Sequence, residues 1–234
     1  MELTPNEGKK CIIEVDGQRY ERLPIKTHLI TDKDNIIEVA KQYGAPALSQ
    51  PGDVLFITEK IVACTQGRAI PLETIKPRRL AYWLSNFVTK TPHGIGLGMP
   101  ETMEYALREV GTLRILFAAA VSVIGKKIFK KKGWFYAVAG YRARSIDGPT
   151  KNTIPPYNQC VVLGPLNPDK VAKEIKAVIG YDVLISDIND LEGQILGASS
   201  KDLDKKLYAR ILKDNPLGQD RQQTPMGIIR KVAD

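Results

Sequence analysis

The run Val183-Leu-Ile-Ser-Asp187-Ile-Asn-Asp190 is an apolar, strand-forming stretch that stops abruptly on two carboxylates and an amide. A strand buried along its length and acidic at its carboxyl tip places those side chains at the mouth of an α/β or α+β core, where ligands commonly bind. Two nearby carboxylates repel each other unless something positive sits between them. Hard oxygen ligands suit magnesium or manganese, and such an ion can bridge onward to a phosphate. A helix N-cap followed by a polar turn would use the same aspartates for structure alone. The choice between the two rests on whether other segments converge on the same chemistry.

Two further places invite chemistry. Gly94-Ile-Gly96-Leu-Gly98 precedes Pro100, which suits the first turn of a helix running to Gly111. A glycine loop feeding a helix N-terminus can bind phosphate through free N–H groups. The spacing is neither the P-loop nor the dinucleotide fingerprint, and Glu101 would repel an anion, so a packing turn is the default. His28, beside Thr27, could act as a general base, although a lone histidine in such a place is more often a hydrogen-bonded structural residue.

The bulk of the chain narrows the classes. Its 234 residues are enough to bury a real core. The formal charge of +8 favours anionic partners without choosing among them. Cys11, Cys64 and Cys160 stand far apart with no CxxC spacing, which argues against a zinc site or a disulfide framework and for a reducing cytoplasm. The amino terminus has no signal-peptide pattern. The longest apolar run, residues 115–124, is far short of the roughly 20 residues that cross a bilayer and reads as a buried helix or strand. Lys126, Lys127, Lys130, Lys131 and Lys132 follow it and read as a solvated face. Nucleic-acid binding through these basic clusters is disfavoured, because no aromatic residues are interleaved with them as a stacking surface.

The positioning elements can be read in order. Asp16-Gly17 between residues 11–15 and 18–23 marks a type I′ hairpin. Asp32 or Asp34 can cap a helix bearing Ile36, Ile37, Val39, Ala40 and Tyr43 and closing at Gly44. Gly52-Asp53 turns into a central strand at residues 54–57. Pro77 opens a helix with Leu80, Ala81, Leu84 and Phe87 inward, and residues 134–138 read as a strand. Residues 161–163 form a short apolar run, and Asn167-Pro168-Asp169 opens a helix through Val171, Ile175 and Val178 that leads into the acid-tipped strand. Ser200 and Asp202 precede a helical stripe of Leu203, Leu207, Ile211 and Leu212. A polar segment, 218–225, then precedes a last strand from Met226 to Arg230.

Three segments, in this order, resemble the coenzyme F-420-0:L-glutamate ligase, or gamma-glutamyl ligase, family. Leu23-Pro24-Ile25-Lys26, followed by Gly52-Asp53 through Thr58-Glu59-Lys60 to Gly67-Arg68, is similar to its amino-terminal nucleotide signature. Ile185-Ser186-Asp187 with Asn189 resembles its metal-binding strand end. Leu217-Gly218-Gln219-Asp220 through Pro225, then Ile228-Ile229-Arg230, looks like its late nucleotide loop and closing strand.

The resemblance implies an α+β fold of mixed sheets with flanking helices, one ligase-like domain over 1–234 with two subdomains meeting near residues 111–140, and an intertwined homodimer. It implies GTP as energy source and magnesium or manganese as cofactor. Leu23, Pro24, Ile25, Lys26, Glu59, Lys60, Arg68, Asn152, Gly218, Gln219 and Asp220 then fall at the nucleotide, with Thr150 an alternative to Asn152, and Asp147, Asp187 and Asp190 at the metal. Lys26, Lys60 and Arg68 are the positive groups for the anions, each also readable as surface charge. Departures are visible: Ile188 stands where a threonine usually helps hold metal, Cys64 where a lysine is common, Gln66 where an acid is common, and Asp147 lies in Ser-Ile-Asp-Gly-Pro. The implied reaction is GTP-dependent amide formation between L-glutamate, or a similar amino acid, and a carboxylate of a deazaflavin-type precursor or related acid. The rival reading is a nucleotide or metabolite-binding protein on the same scaffold that performs no catalysis.

Overall fold

The computed structural model of the chain describes residues 3–88, 95–127, 130, 133–150, 153–189, 193–218 and 221–232. Gly94, the side chains of Lys126 and Lys127, and Lys131, Lys132, Asn152, Asp190, Gln219 and Asp220 lie outside the described residues. The strands are β1 (Ile12–Val15), β2 (Gln18–Ile25), β3 (Val54–Thr58), β4 (Ala69–Pro71), β5 (Cys160–Val162), β6 (Asp182–Ile188), β7 (Gly193–Ala198) and β8 (Met226–Lys231). The helices are α1 (Ile36–Val39), α2 (Glu59–Thr65), α3 (Arg79–Ser85), α4 (Pro100–Val110), α5 (Thr112–Lys127), α6 (Trp134–Ala139), α7 (Tyr141–Arg144), α8 (Pro168–Ile179) and α9 (Lys205–Ile211). This is the mixed α+β content expected from sequence. The chain forms two compact units, 1–67 with 165–234, and 68–164. Residues 111–140 fall wholly inside the second.

In the first unit a six-stranded mixed sheet runs β1-β2-β8-β3-β6-β7. Only the β3 and β6 pair is parallel. The hairpin forms as expected, with Asp16 and Gly17 at φ of 53° and 75°, the left-handed pair that a type I′ turn requires. The two-residue period of the strands sorts side chains onto two cores. Leu55, Ile57, Val183 and Ile185 face Val62, Val171 and Ile175. Val54, Phe56, Leu184 and Ile229 face Ile211 and Leu212. Each fully buried aliphatic or aromatic side chain contributes roughly 1.5–3 kcal/mol, which fixes register because a one-residue slip would turn both sets the wrong way.

One cap differs from expectation. Asn35, not Asp32 or Asp34, caps α1 by accepting from the Ile37 amide, and the helix continues through a π turn over residues 40–44. Asp34 is committed instead to the Thr31 amide at 2.7 Å. Asp204 caps α9 by accepting from the Lys206 and Leu207 amides. Strand β7 is not evident from sequence, because glycines interrupt its pattern. A Cβ at Gly197 would fall 2.7 Å from the Asp169 amide nitrogen, so glycine is what allows β7 to approach the start of α8. Asp169 fastens the same place by accepting from the Ala198 amide at 2.9 Å.

The second unit packs α3, α4, α5 and α6 with the β4-β5 ribbon around Ala81, Leu84, Met103, Leu107, Ile115 and Val161. Residues 134–138, expected as a strand, are helix α6. Gly133 and Gly140 take φ of 94° and 86° and bracket it, while Phe135, Tyr136, Val138 and Ala139 pack on the core at helical spacing. Tertiary packing has overridden the aromatic preference for strands. Helix α3 starts at Arg79, two residues past Pro77, and ends at Ser85. Phe87, expected inside, lies beyond that end, 64% exposed, with its ring 4.9 Å from Trp83. The run 115–124 is helical but not buried throughout. Ile115 and Ala118 are inside, while Phe117 is 63% and Val123 50% exposed. Among the described residues no helix is long and apolar enough to cross a membrane.

Candidate functional site

The first unit gathers its chemistry at one edge of the sheet. The parallel register sets Thr58 beside Ser186, so Glu59 and Asp187 take neighbouring positions at the carboxyl ends of β3 and β6. Ile57 pairs with Met226, and Met226 with Ile25, which brings the end of β2 and the start of β8 to the same edge. Backbone bonds seal it: the Thr58 amide donates to Pro225 O at 2.9 Å and the Thr27 amide to Gln223 O at 3.0 Å. Carboxyl ends of parallel strands are where α/β sheets bind ligands.

The described residues singled out from sequence each have a definite setting. Leu23 and Ile25 turn their side chains into the core, and Pro24 pairs with Gly227. Lys26 is exposed just past the end of β2. Glu59 is buried at the first turn of α2, and Lys60 beside it is exposed. A carboxylate in a first helical turn is favoured by the helix dipole. Gly218, at φ 78°, accepts from Asn215 Nδ2 at 2.9 Å. Asn6 Nδ2 ties the same loop to Leu217 O at 2.9 Å and to Thr224 Oγ1 at 2.8 Å. Asp53, part of the amino-terminal signature, sits at the opposite end of β3. It accepts from the Ser49 and Gln50 amides and is gripped by Arg230 at 2.7 Å and 2.8 Å. Burial pushes its pKa up, but these bonds outweigh burial and hold the carboxyl below the usual range. Its role is to brace the scaffold.

Asp187 is half buried on β6, opposite Gln194. It continues the face that carries Val183 and Ile185. Ser186 points the other way, buried, and donates to Ile57 O at 3.2 Å. Ile188 packs on the opposite core, so a packing contact stands where a threonine ligand would serve a metal. Asn189 is exposed two residues after Asp187. A carboxylate and an amide oxygen at a strand tip fit magnesium or manganese, which bind through one or two carboxylates with phosphate oxygens completing the shell. Among the described residues no three His, Cys, Asp or Glu side chains cluster.

The second unit holds two other singled-out residues. Arg68 Nε donates to Gly164 O at 2.6 Å and its NH2 group to Glu109 at 2.6 Å, a charge-assisted pair that fastens the β4 end to α4. Asp147 bridges to Val162, its amide donating to Val162 O at 2.9 Å. Near it stands Tyr136, whose pKa is raised first by burial, with the charge of Asp147 adding to it. Gly96 of the glycine loop lies under the Tyr136 hydroxyl. Thr150 Oγ1 shares a hydrogen bond with Thr153 Oγ1 at 2.6 Å. Glu104 was not foreseen. It is buried and takes Arg78 Nε at 3.0 Å and Arg108 Nε at 2.7 Å. Burial pushes its pKa up, and these bonds bring it below the usual value. Only the i, i+4 spacing of Glu104 and Arg108 was readable from sequence.

His28 is fully engaged, with Nδ1 at 2.8 Å from the Tyr43 hydroxyl and Nε2 at 2.9 Å from Asp34 Oδ1. Fifteen residues separate His28 from Tyr43, so no spacing signal could have paired them.

Comparison with curated proteins gives no match. The sequence model of the family described as F420-0:Gamma-glutamyl ligase matches residues 24–196. That span takes in Pro24, Lys26, the tip of β3, Asp147 and Asp187, and leaves out the late loop before β8. With most of its length matched, the chain belongs to the F420-0:gamma-glutamyl ligase family.

Proposed function

We propose that this chain is a GTP-dependent and metal-dependent ligase that joins L-glutamate, or a similar amino acid, to a carboxylate of a deazaflavin-type coenzyme F-420 precursor or related acid. Family membership over residues 24–196 is the observation that carries the reading. The convergence of Lys26, Glu59, Lys60 and Asp187 on one sheet edge supports it. The reaction must hold a triphosphate and two acidic substrates together, so positioning and charge compensation dominate. Lys26 and Lys60 offer compact cations for phosphate oxygens, and Leu23, Pro24, Ile25, Gly218, Gln219 and Asp220 are further proposed nucleotide contacts. Arg68 and Asn152 belong to the same proposed set, although Arg68 is already braced by Glu109. Asp187, with Asp147 and Asp190, would hold the metal, and a divalent ion there would offset charge on the phosphates. Residues 1–234 work as one ligase-like domain in this proposal, in a reducing cytoplasm that suits Cys11, Cys64 and Cys160, none of which is in a disulfide.

Binding to the folded state alone raises stability by mass action, by about 2.7 kcal/mol at a hundredfold excess over Kd. GTP with manganese is therefore expected to raise Tm by about 5–10 °C, and phosphate release should follow only when both substrates are added. No shift with GTP or ATP at saturating manganese removes the proposed site. Binding without turnover would favour the rival reading, a nucleotide-binding protein that performs no catalysis, to which Ile188 in the core and the buried Cys64 lend support.

We also propose a homodimer. Leu113, Leu116, Phe117, Val123 and Ile124 form an exposed stripe along α5, spaced as a helix presents one apolar face. Light scattering at micromolar concentration should give twice the 25.9 kDa chain mass, and a monomer there would exclude this assembly.

A further inference from the structure

Asp34, His28 and Tyr43 form a hydrogen-bonded chain that the ligase reading so far leaves unused. Asp34 is anchored first, its Oδ2 accepting the Thr31 amide at 2.7 Å and Thr31 Oγ1 at 3.0 Å. Its Oδ1 is left against His28 Nε2 at 2.9 Å. An ionised carboxylate only accepts, so Nε2 carries the proton, and the Nδ1 lone pair of the neutral imidazole faces the Tyr43 hydroxyl at 2.8 Å. Tyr43 is steadied by the π turn that carries it and by its packing on the core. This is the order carboxylate, imidazole, hydroxyl, in which each group orients the next.

Its location supplies the second observation. Lys26 and His28 are alternate exposed residues on the segment leaving β2, with buried Thr27 between them and tied to Gln223 O. The relay thus stands beside a cation assigned above to the phosphates. Such a ligase also has a proton to remove at its reacting amine.

We propose that this relay is the proton acceptor for the incoming amine, with Tyr43 as the catalytic residue and His28 and Asp34 as positioning residues; this rests on the ligase reading above. The incoming ammonium passes one proton to the Tyr43 oxygen as the Tyr43 proton passes to His28 Nδ1, and the neutral amine so formed attacks the carbonyl carbon of the acyl phosphate. The C–N bond forms from the nitrogen lone pair, and the C–O bond to phosphate breaks with its electron pair leaving on inorganic phosphate. The second nitrogen proton is taken by the departing phosphate. Asp34 offsets the imidazolium charge until the proton held by His28 returns to solvent.

The test compares L-glutamate with hydroxylamine as acceptor, using GTP, manganese and coenzyme F-420-0. Hydroxylamine is already neutral at pH 7 and traps the acyl phosphate without needing a base. Tyr43→Phe keeps the ring that packs the core, and His28→Gln is a second variant in case the first loses its fold. Both are expected to lower kcat for glutamate by about 100-fold or more, with little change in KM, while hydroxamate formation stays at the wild-type rate. The chain has two histidines, so 15N NMR can also read the His28 tautomer directly, with Nδ1 expected unprotonated. Equal loss with both acceptors, no loss with either, or a protonated Nδ1 in the neutral ring overturns the relay. A wild-type protein that forms neither product overturns the ligase reading and the relay with it, whereas an active wild type with unaffected variants overturns the relay alone.

Discussion

The Asp187→Asn variant should fold almost as the wild type does while losing metal-dependent nucleotide binding. Asparagine keeps the shape and much of the hydrogen-bonding ability of aspartate, and the site is half buried at the end of β6 rather than in the core. Tm is therefore expected to move by no more than about 2 °C. What asparagine removes is the negative charge that a hard cation requires, so affinity for GTP with manganese should fall by about two orders of magnitude or more. If Asp187 serves only the sheet, the outcome reverses, with lower stability and preserved metal-dependent affinity. That result would withdraw the ligand assignment. Measuring both quantities on one variant separates the roles, because a structural group and a ligand act on different equilibria.

The second large effect is expected at Arg22. This side chain is fully buried between β2 and the segment after α9. One end of its guanidinium pairs with Asp214, donates to Ile211 O at 3.0 Å and reaches Lys10 O at 2.6 Å, while Nε–H finds no acceptor among the described residues. Arg22→Met preserves bulk but strips two backbone carbonyls and a carboxylate of their donor. Breaking a buried pair typically costs 3–5 kcal/mol. Because Asp214 can partly rehydrate, a loss of about 3 kcal/mol in denaturant unfolding is the expected value. The exposed pair Arg210 with Asp16 is the control, where Arg210→Ala should have a much smaller effect. A loss at Arg22 no greater than at Arg210 would contradict the buried-brace assignment.

Acid titration gives a second check on the same brace. Burial raises the Asp214 pKa, but the hydrogen bonds and charge of Arg22 outweigh it, so the folded value lies below the unfolded one. A depressed carboxylate contributes stability above its unfolded pKa, near 4, and that contribution is lost as pH falls through the folded value. Wild type should therefore lose stability more steeply below about pH 4 than Arg22→Met does. Parallel curves would mean that Asp214 is not coupled to Arg22.

Much of this protein is legible in its sequence wherever local chemistry suffices. Asp16-Gly17 specifies its turn because both positions need positive φ. The apolar runs at 54–57 and 183–185 specify buried strands, and Pro100 and Pro168 mark helix starts. The acid-tipped end of β6 and the three motif segments were enough to identify the family. Features that depend on residues far apart in the chain needed the tertiary structure. Residues 134–139 are helical because the core of the second unit accepts them that way. Strand β7 exists because Gly197 permits close approach to α8. Asp53 and Glu104 are braces because Arg230, Arg78 and Arg108 arrive beside them, and His28 meets Tyr43 only once the segment after β2 folds back along α1 and its π turn. The parallel pairing of β3 with β6, which sets Glu59 next to Asp187, spans more than a hundred residues of sequence. Local propensities act within a turn or a strand, while a site assembled from several strand ends exists only after long-range burial has chosen their register.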